Sequence, residues 1–176
     1  DERYFPETGY TVSGNFLRYW DRFGGLQLFG YPISDPFEWN GMTVQYFERV
    51  RMEYQPGMWP ERYDILLGRL GAELTEDRTD EQPFRRITGT ANDHCDYYAE
   101  TGHYLCYGFR DYWYRNGGLA ILGFPISEEF KERNPQDGKI YTVQYFERAR
   151  FEYHPENQPP WNILGGHLGR TAYERE

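Results

Sequence analysis

The heptapeptide Thr-Val-Gln-Tyr-Phe-Glu-Arg occurs twice in this chain, at 43–49 and again at 142–148. It does not stand alone. The first half reads YFPETG from Tyr4, then FLRYWDRFGGLQLFGYPIS, TVQYFERVRMEYQP and ILLGRLG. The second reads YYAETG from Tyr97, then FRDYWYRNGGLAILGFPIS, TVQYFERARFEYHP and ILGGHLG. The offset is 93 residues through Phe37/Phe130, 99 at Thr43/Thr142 and 98 at Ile65/Ile163, with extra residues near Lys131–Gly138 in the second copy. Segments recurring in one order at a nearly constant offset identify a duplication. The chain therefore folds as one small unit built twice.

The repeat divides the sequence into a first module at 1–74, a polar connector at 75–93 and a second module with its tail at 94–176. Each module reads as α+β. Ser13 is placed to cap a helix to about Phe23, with Phe16, Tyr19, Trp20 and Phe23 on one stripe. Gly24-Gly25 supplies positive-φ residues to stop it. In the second copy Phe109, Tyr112, Trp113 and Gly117-Gly118 take these places. A compact turn follows, at Gly30-Tyr31-Pro32 and Gly123-Phe124-Pro125. Thr43 to Tyr54 alternates as a β-hairpin, and Ile65–Gly71 reads as a second short helix or turn. The expected fold is two tandem modules, each an amphipathic helix, a Gly-aromatic-Pro turn and a β-hairpin, better stabilised when packed on its twin.

Composition narrows the function. Net charge is −9, divided as −4, −2 and −3 over the two modules and connector in the order first, connector, second, so neither module offers a basic face to nucleic acid. No apolar run is long enough for a transmembrane helix. Phe, Tyr and Trp number 34 against 23 Leu, Ile and Val, more hydroxyl-bearing rings than a core alone requires. Cys95 and Cys106 are close enough in sequence to form one local disulfide, which fits an exported protein. The chain opens at Asp1 with no initiator Met and no charged-then-apolar leader, the form expected of a processed product. No Asn-x-Ser/Thr sequon occurs.

No Ser lies in a Gly-x-Ser-x-Gly turn. Glu48 with Glu53, and Glu147 with Glu152, have the residue types of a glycosidase pair, but each neighbours Arg and reads better as an ion pair. No catalytic residue is assigned. His94, Cys95, His103 and Cys106 are zinc-ligand types without a Cys-x-x-Cys knuckle, and a disulfide accounts for both cysteines. It would staple the incoming strand to the helix start, where the first copy has Glu2 and Ser13. No metal or cofactor is expected. Adjacent residues on a strand face opposite ways, so one ring of Tyr46/Phe47 and one of Tyr145/Phe146 should point outward. Trp39, Trp59 and Trp161 lie in loops beside Gly or Pro, and with those outward rings form the candidate interaction surface.

Leu122-Gly123-Phe124-Pro125, followed by Tyr145-Phe146-Glu147-Arg148 and closing on Leu168-Gly169, resembles the LGFP-type repeats of secreted bacterial cell-envelope proteins. The first copy departs at the tetrad, reading Phe29-Gly30-Tyr31-Pro32. The resemblance implies a non-catalytic module with an extracellular, cell-surface address, and supplies no ligand residue. Two functions follow as expectations. One is a structural subunit that self-associates into a filament or surface layer through stacked repeats and hairpin edges. The other is a module that binds cell-wall glycan through outward rings.

Overall fold

The computed structural model describes residues 1–176. The fold is α+β, with six helices and four small antiparallel sheets. The chain forms two compact units: Asp1–Leu70 with His167–Glu176, and Gly71–Gly166. These units do not follow the sequence division at their edges. The connector at 75–93 is part of the second unit, and the last ten residues are part of the first.

In the first unit, β1 (Glu2–Phe5) pairs with β2 (Tyr10–Ser13), and α1 (Gly14–Phe23) follows directly. A short α2 (Gly25–Leu28) leads to the turn and then to four strands. These are β3 (Phe37–Trp39), β4 (Met42–Tyr46), β5 (Arg51–Tyr54) and β6 (Ile65–Leu67), hydrogen-bonded in that order. Helix α3 (Leu70–Leu74) begins at the unit boundary.

The second unit runs the same element order. It contains β7 (Cys95–Tyr98), β8 (His103–Cys106), α4 (Tyr107–Arg115) and α5 (Gly118–Ile121), then β9 (Phe130–Arg133), β10 (Ile140–Tyr145), β11 (Arg150–Tyr153) and β12 (Ile163–Gly165). The final helix, α6 (Leu168–Glu174), belongs to the first unit.

The expected hairpin is present in both units, but it is the centre of a four-stranded sheet. Ile65–Leu67 is a strand, where a helix or turn was expected. Pairing from Met52↔Leu67 to Tyr54↔Ile65 satisfies the outer backbone groups of β5, which would otherwise be left unpaired. Ser13 occupies the N-cap position of α1, yet its side chain makes no capping bond. The Gly14 amide instead donates to the Asp1 carbonyl, 3.0 Å away. Of the Gly24-Gly25 pair only Gly25 has positive φ, +50°, while Gly24 is extended.

Each four-stranded sheet is covered on both faces at its Tyr-Phe pair, which corrects the expectation of outward rings. Tyr46, Phe47 and Phe146 are fully buried, and Tyr145 nearly so. Successive residues do point to opposite faces, but neither face meets solvent there. In the first unit α1 packs on β5 and β6, and α6 packs on β4. In the second, Phe146 lies 4.1 Å from Phe151, whose ring is met edge-on by Phe109 and Tyr112 of α4. Tyr145 is covered on the other side by Phe84, at 5.4 Å, from the connector. Burying each such ring contributes roughly 1.5–3 kcal/mol.

Cys95 and Cys106 form a disulfide and sit directly opposite in the β7–β8 register. Both sulfurs are thereby removed from any zinc-ligand set. Reduction is expected to destabilise the second unit by about 3 kcal/mol, the chain-entropy value for so short a loop. Thermal denaturation with and without reductant checks this, and the Cys95→Ser/Cys106→Ser variant should reproduce the reduced curve.

Candidate binding groove on the second unit

The repeated heptapeptide holds the fold together in both units. Val44 and Val143 are buried. The Gln45 amide donates to the Thr11 and Ser34 carbonyls, at 3.1 and 2.9 Å, tying the β1–β2 pair to the sheet. Gln144 does the same to Tyr104 and Ser127, at 2.7 Å each. Glu48 accepts the Tyr31 amide at 3.0 Å, and Glu147 accepts the Phe124 amide at 3.0 Å. Each therefore locks the Gly-aromatic-Pro turn onto the hairpin.

The other carboxylates of the imagined catalytic pairs are equally committed. Arg51 and Glu53 lie two residues apart on one strand face, 2.8 Å apart and buried. The Arg51 guanidinium lies 4.0 Å from the Trp39 ring centroid, so Trp39 serves as its platform. In the second unit Arg150 pairs with Glu152 and Glu132, Arg78 also reaches Glu132 at 2.7 Å, and Asn134 donates to Glu152 at 2.7 Å. Burial pushes the Tyr145 phenol up to about 12, opposed by Arg150 and reinforced by its bond to Glu132.

Trp39, Trp59 and Trp161 are not gathered into one surface. Trp59 is half-buried beneath Arg62, with its indole nitrogen enclosed and unpaired. Trp161 alone is broadly open, at 53% exposure. Its two neighbours in sequence, Pro160 and Asn162, line an open groove of about 540 Å³. Gly108, Asp111, Tyr114, Arg115, Pro159 and Ile163 line the rest of it. A smaller hollow of about 170 Å³ adjoins, sharing Gly108, Asn162 and Ile163 and adding Tyr107, Glu129, Thr142 and Tyr153.

Three features make this a formed surface. Tyr107, Tyr114 and Tyr153 are exposed at 62%, 60% and 41%. Two of those rings are held in place. Tyr114 donates to Asp96 at 2.6 Å, a bond that raises its pKa, and Tyr107 stacks on His94 at 4.9 Å. Gly108 keeps the floor open, since a Cβ there would come within 3.2 Å of Ile163. Finally, Tyr107 adopts φ +50°, in the left-handed region, where the first unit has Gly14 at +57°. A bulky residue there costs about 1–2 kcal/mol, and such strain gathers where a side chain is held for a task.

The residues of this groove have different counterparts in the first unit. Gly14, Asp21 and Tyr63 replace Tyr107, Tyr114 and Trp161. Ion pairs from Arg3 to Asp21 and from Arg18 to Asp1, at 2.7 and 3.3 Å, occupy the corresponding stretch of α1. Tyr107, Tyr114 and Tyr153 went unnamed in the sequence reading, which sought likeness between the halves. Two of them mark positions where the halves differ, and that difference was the available signal. No family model matches the chain, and no curated protein matches it.

Two outcomes are expected. Glu53→Ala leaves Arg51 buried without its carboxylate and should cost about 3 kcal/mol in denaturant unfolding, whereas a catalytic Glu would leave stability nearly unchanged. Glu129, at the edge of the smaller hollow, is exposed as a residue, but partial desolvation of its carboxyl by surrounding atoms, then the charge of Glu128, raises its pKa. The folded state thus holds this proton more tightly than the unfolded chain. The resulting stabilisation is complete below the ordinary carboxylate range and lost as pH rises through the raised value. Glu129→Gln, mimicking the protonated form, should melt higher than the parent at pH 7 and match it in acid.

Proposed function

We propose that this chain is a non-catalytic, extracellular, cell-surface protein of the LGFP-like tandem-repeat kind, and that it binds uncharged glycan strands of the cell envelope. The observation that carries the reading is the groove of the second unit, where exposed Tyr107, Tyr114, Tyr153 and Trp161 surround or adjoin Asp111 and Asn162. Ring faces suit the C–H face of a sugar, while the carboxylate and amide suit its hydroxyls. Rings already fixed by Asp96 and His94 lose little freedom on binding. The net charge of −9 disfavours a polyanionic ligand. A disulfide supports an oxidising compartment, and no helix is long and apolar enough to cross a membrane. Burial of Tyr46, Phe47, Tyr145 and Phe146 removes those rings as anchors for a glycan or a second copy, and does not bear on self-association through stacked repeats or hairpin edges.

Retention on purified cell wall, followed by titration with soluble wall oligosaccharides, tests the reading. Trp161→Ala and Tyr114→Ala should each weaken binding by about 1 kcal/mol or more, roughly fivefold. Gly108→Val should do so by filling the floor. Trp39→Ala, which removes the half-buried platform of Arg51, should change stability without changing affinity in the folded protein. Absence of retention by the parent chain, or full retention by Trp161→Ala and Tyr114→Ala alike, refutes the proposal.

A further inference from the structure

The sheet of each unit is gripped by a helix that does not follow it in sequence. After β6 the chain enters α3, which from Gly71 onward belongs to the second unit; after β12 it enters α6, which belongs to the first. Both helices open on Leu-Gly, and both dock in one way. Gly71 lies so close to the β10–β11 turn that a Cβ would stand 1.8 Å from the Phe146 carbonyl oxygen, and the Ala72 amide donates to Glu147 O at 3.1 Å. Gly169 lies against the β4–β5 turn, its Cβ position 1.8 Å from Phe47 O, and the Arg170 amide donates to Glu48 O at 3.0 Å. Glycine is obligatory at both because backbone meets backbone. In the first unit Arg170 adds an ion pair to Glu48 at 3.2 Å, and Tyr173 packs 4.9 Å from Tyr46, whose hydroxyl lies 3.1 Å from Glu176.

From this reciprocal docking we propose that α6 is an exchangeable arm and that the partner it fits is a second copy of this chain. The arm 167–176 grips the β4–β5 hairpin and Phe37 of β3, all within the first unit, and the chain crosses between units once to deliver that arm, at Gly166–His167. An α6 from a second copy makes the same contacts. Closed and exchanged forms then differ chiefly in the cost of association, so exchange is governed by chain concentration against the effective concentration of the tethered arm, of millimolar order for a short link. Reciprocal exchange gives a dimer, and open exchange gives a chain of copies.

Cysteines at positions 48 and 170 test this in the full chain, without any glycan. The double variant Glu48→Cys/Arg170→Cys should close within one chain on oxidation. Glu48→Cys and Arg170→Cys, mixed as separate proteins at high concentration, should form a covalent dimer whose bridge maps by mass spectrometry to 48 and 170. The parent chain, passed through mild denaturant at millimolar concentration, should yield a dimer on size exclusion that survives dilution, and Gly169→Val should abolish it. If the double variant closes while the mixture gives no 48–170 bridge and the parent stays monomeric, the arm does not exchange. Failure of the double variant to close removes the dock itself and overturns the proposal equally.

Discussion

Adjacent Tyr and Phe at the end of the hairpin strand put one large ring on each face of a four-stranded sheet, and both rings are buried. That constraint organises each unit. A sheet with a ring on both faces requires two covers, and a module of this size has one substantial helix, α1 or α4, available locally. The second cover comes from distant sequence: α6 in the first unit, and the segment bearing Arg78 and Phe84 in the second. The redistribution of 71–93 and 167–176 between units is the consequence. What looks like a linker in composition is part of a core, with Phe84 buried against Phe130 and Tyr145.

This explains which parts of the fold were legible. The helix α1, the positive φ of Gly25 after it, the hairpin and the pairing of Cys95 with Cys106 are local patterns that carry through, whereas the Ser13 side-chain cap and a positive φ at Gly24 do not. The strand at Ile65–Leu67 was not legible, because three residues hold no period and their pairing with β5 is non-local. The burial of both rings of each Tyr-Phe pair was hidden for a related reason. Alternation says that two residues face opposite ways, but it cannot say what lies beyond either face.

The duplication also separates fold from site. Residues kept in both halves, Gln45/Gln144, Glu48/Glu147 and Trp20/Trp113, each close a hydrogen bond within the unit, the indoles donating to Gly30 and Gly123 carbonyls at 2.9 and 2.8 Å. The exposed rings of the groove stand mainly where the halves disagree. Residues identical in the two halves are thus the ones that close each unit's internal hydrogen bonds.

Tyr107 joins these threads. It follows Cys106 directly, and it holds a left-handed backbone conformation that the first unit assigns to Gly14. A cost of about 1–2 kcal/mol is a substantial fraction of what a unit of this size has in reserve. The disulfide closes one residue before that strained position, in the same unit, where the first unit has only Glu2 opposite Ser13. Restricting the unfolded chain by about 3 kcal/mol offsets the strain and fixes the strand from which the Tyr107 ring projects. In this reading, the crosslink and the strained tyrosine form one device: the covalent link allows a large ring to stand at the groove edge where the fold alone would require glycine.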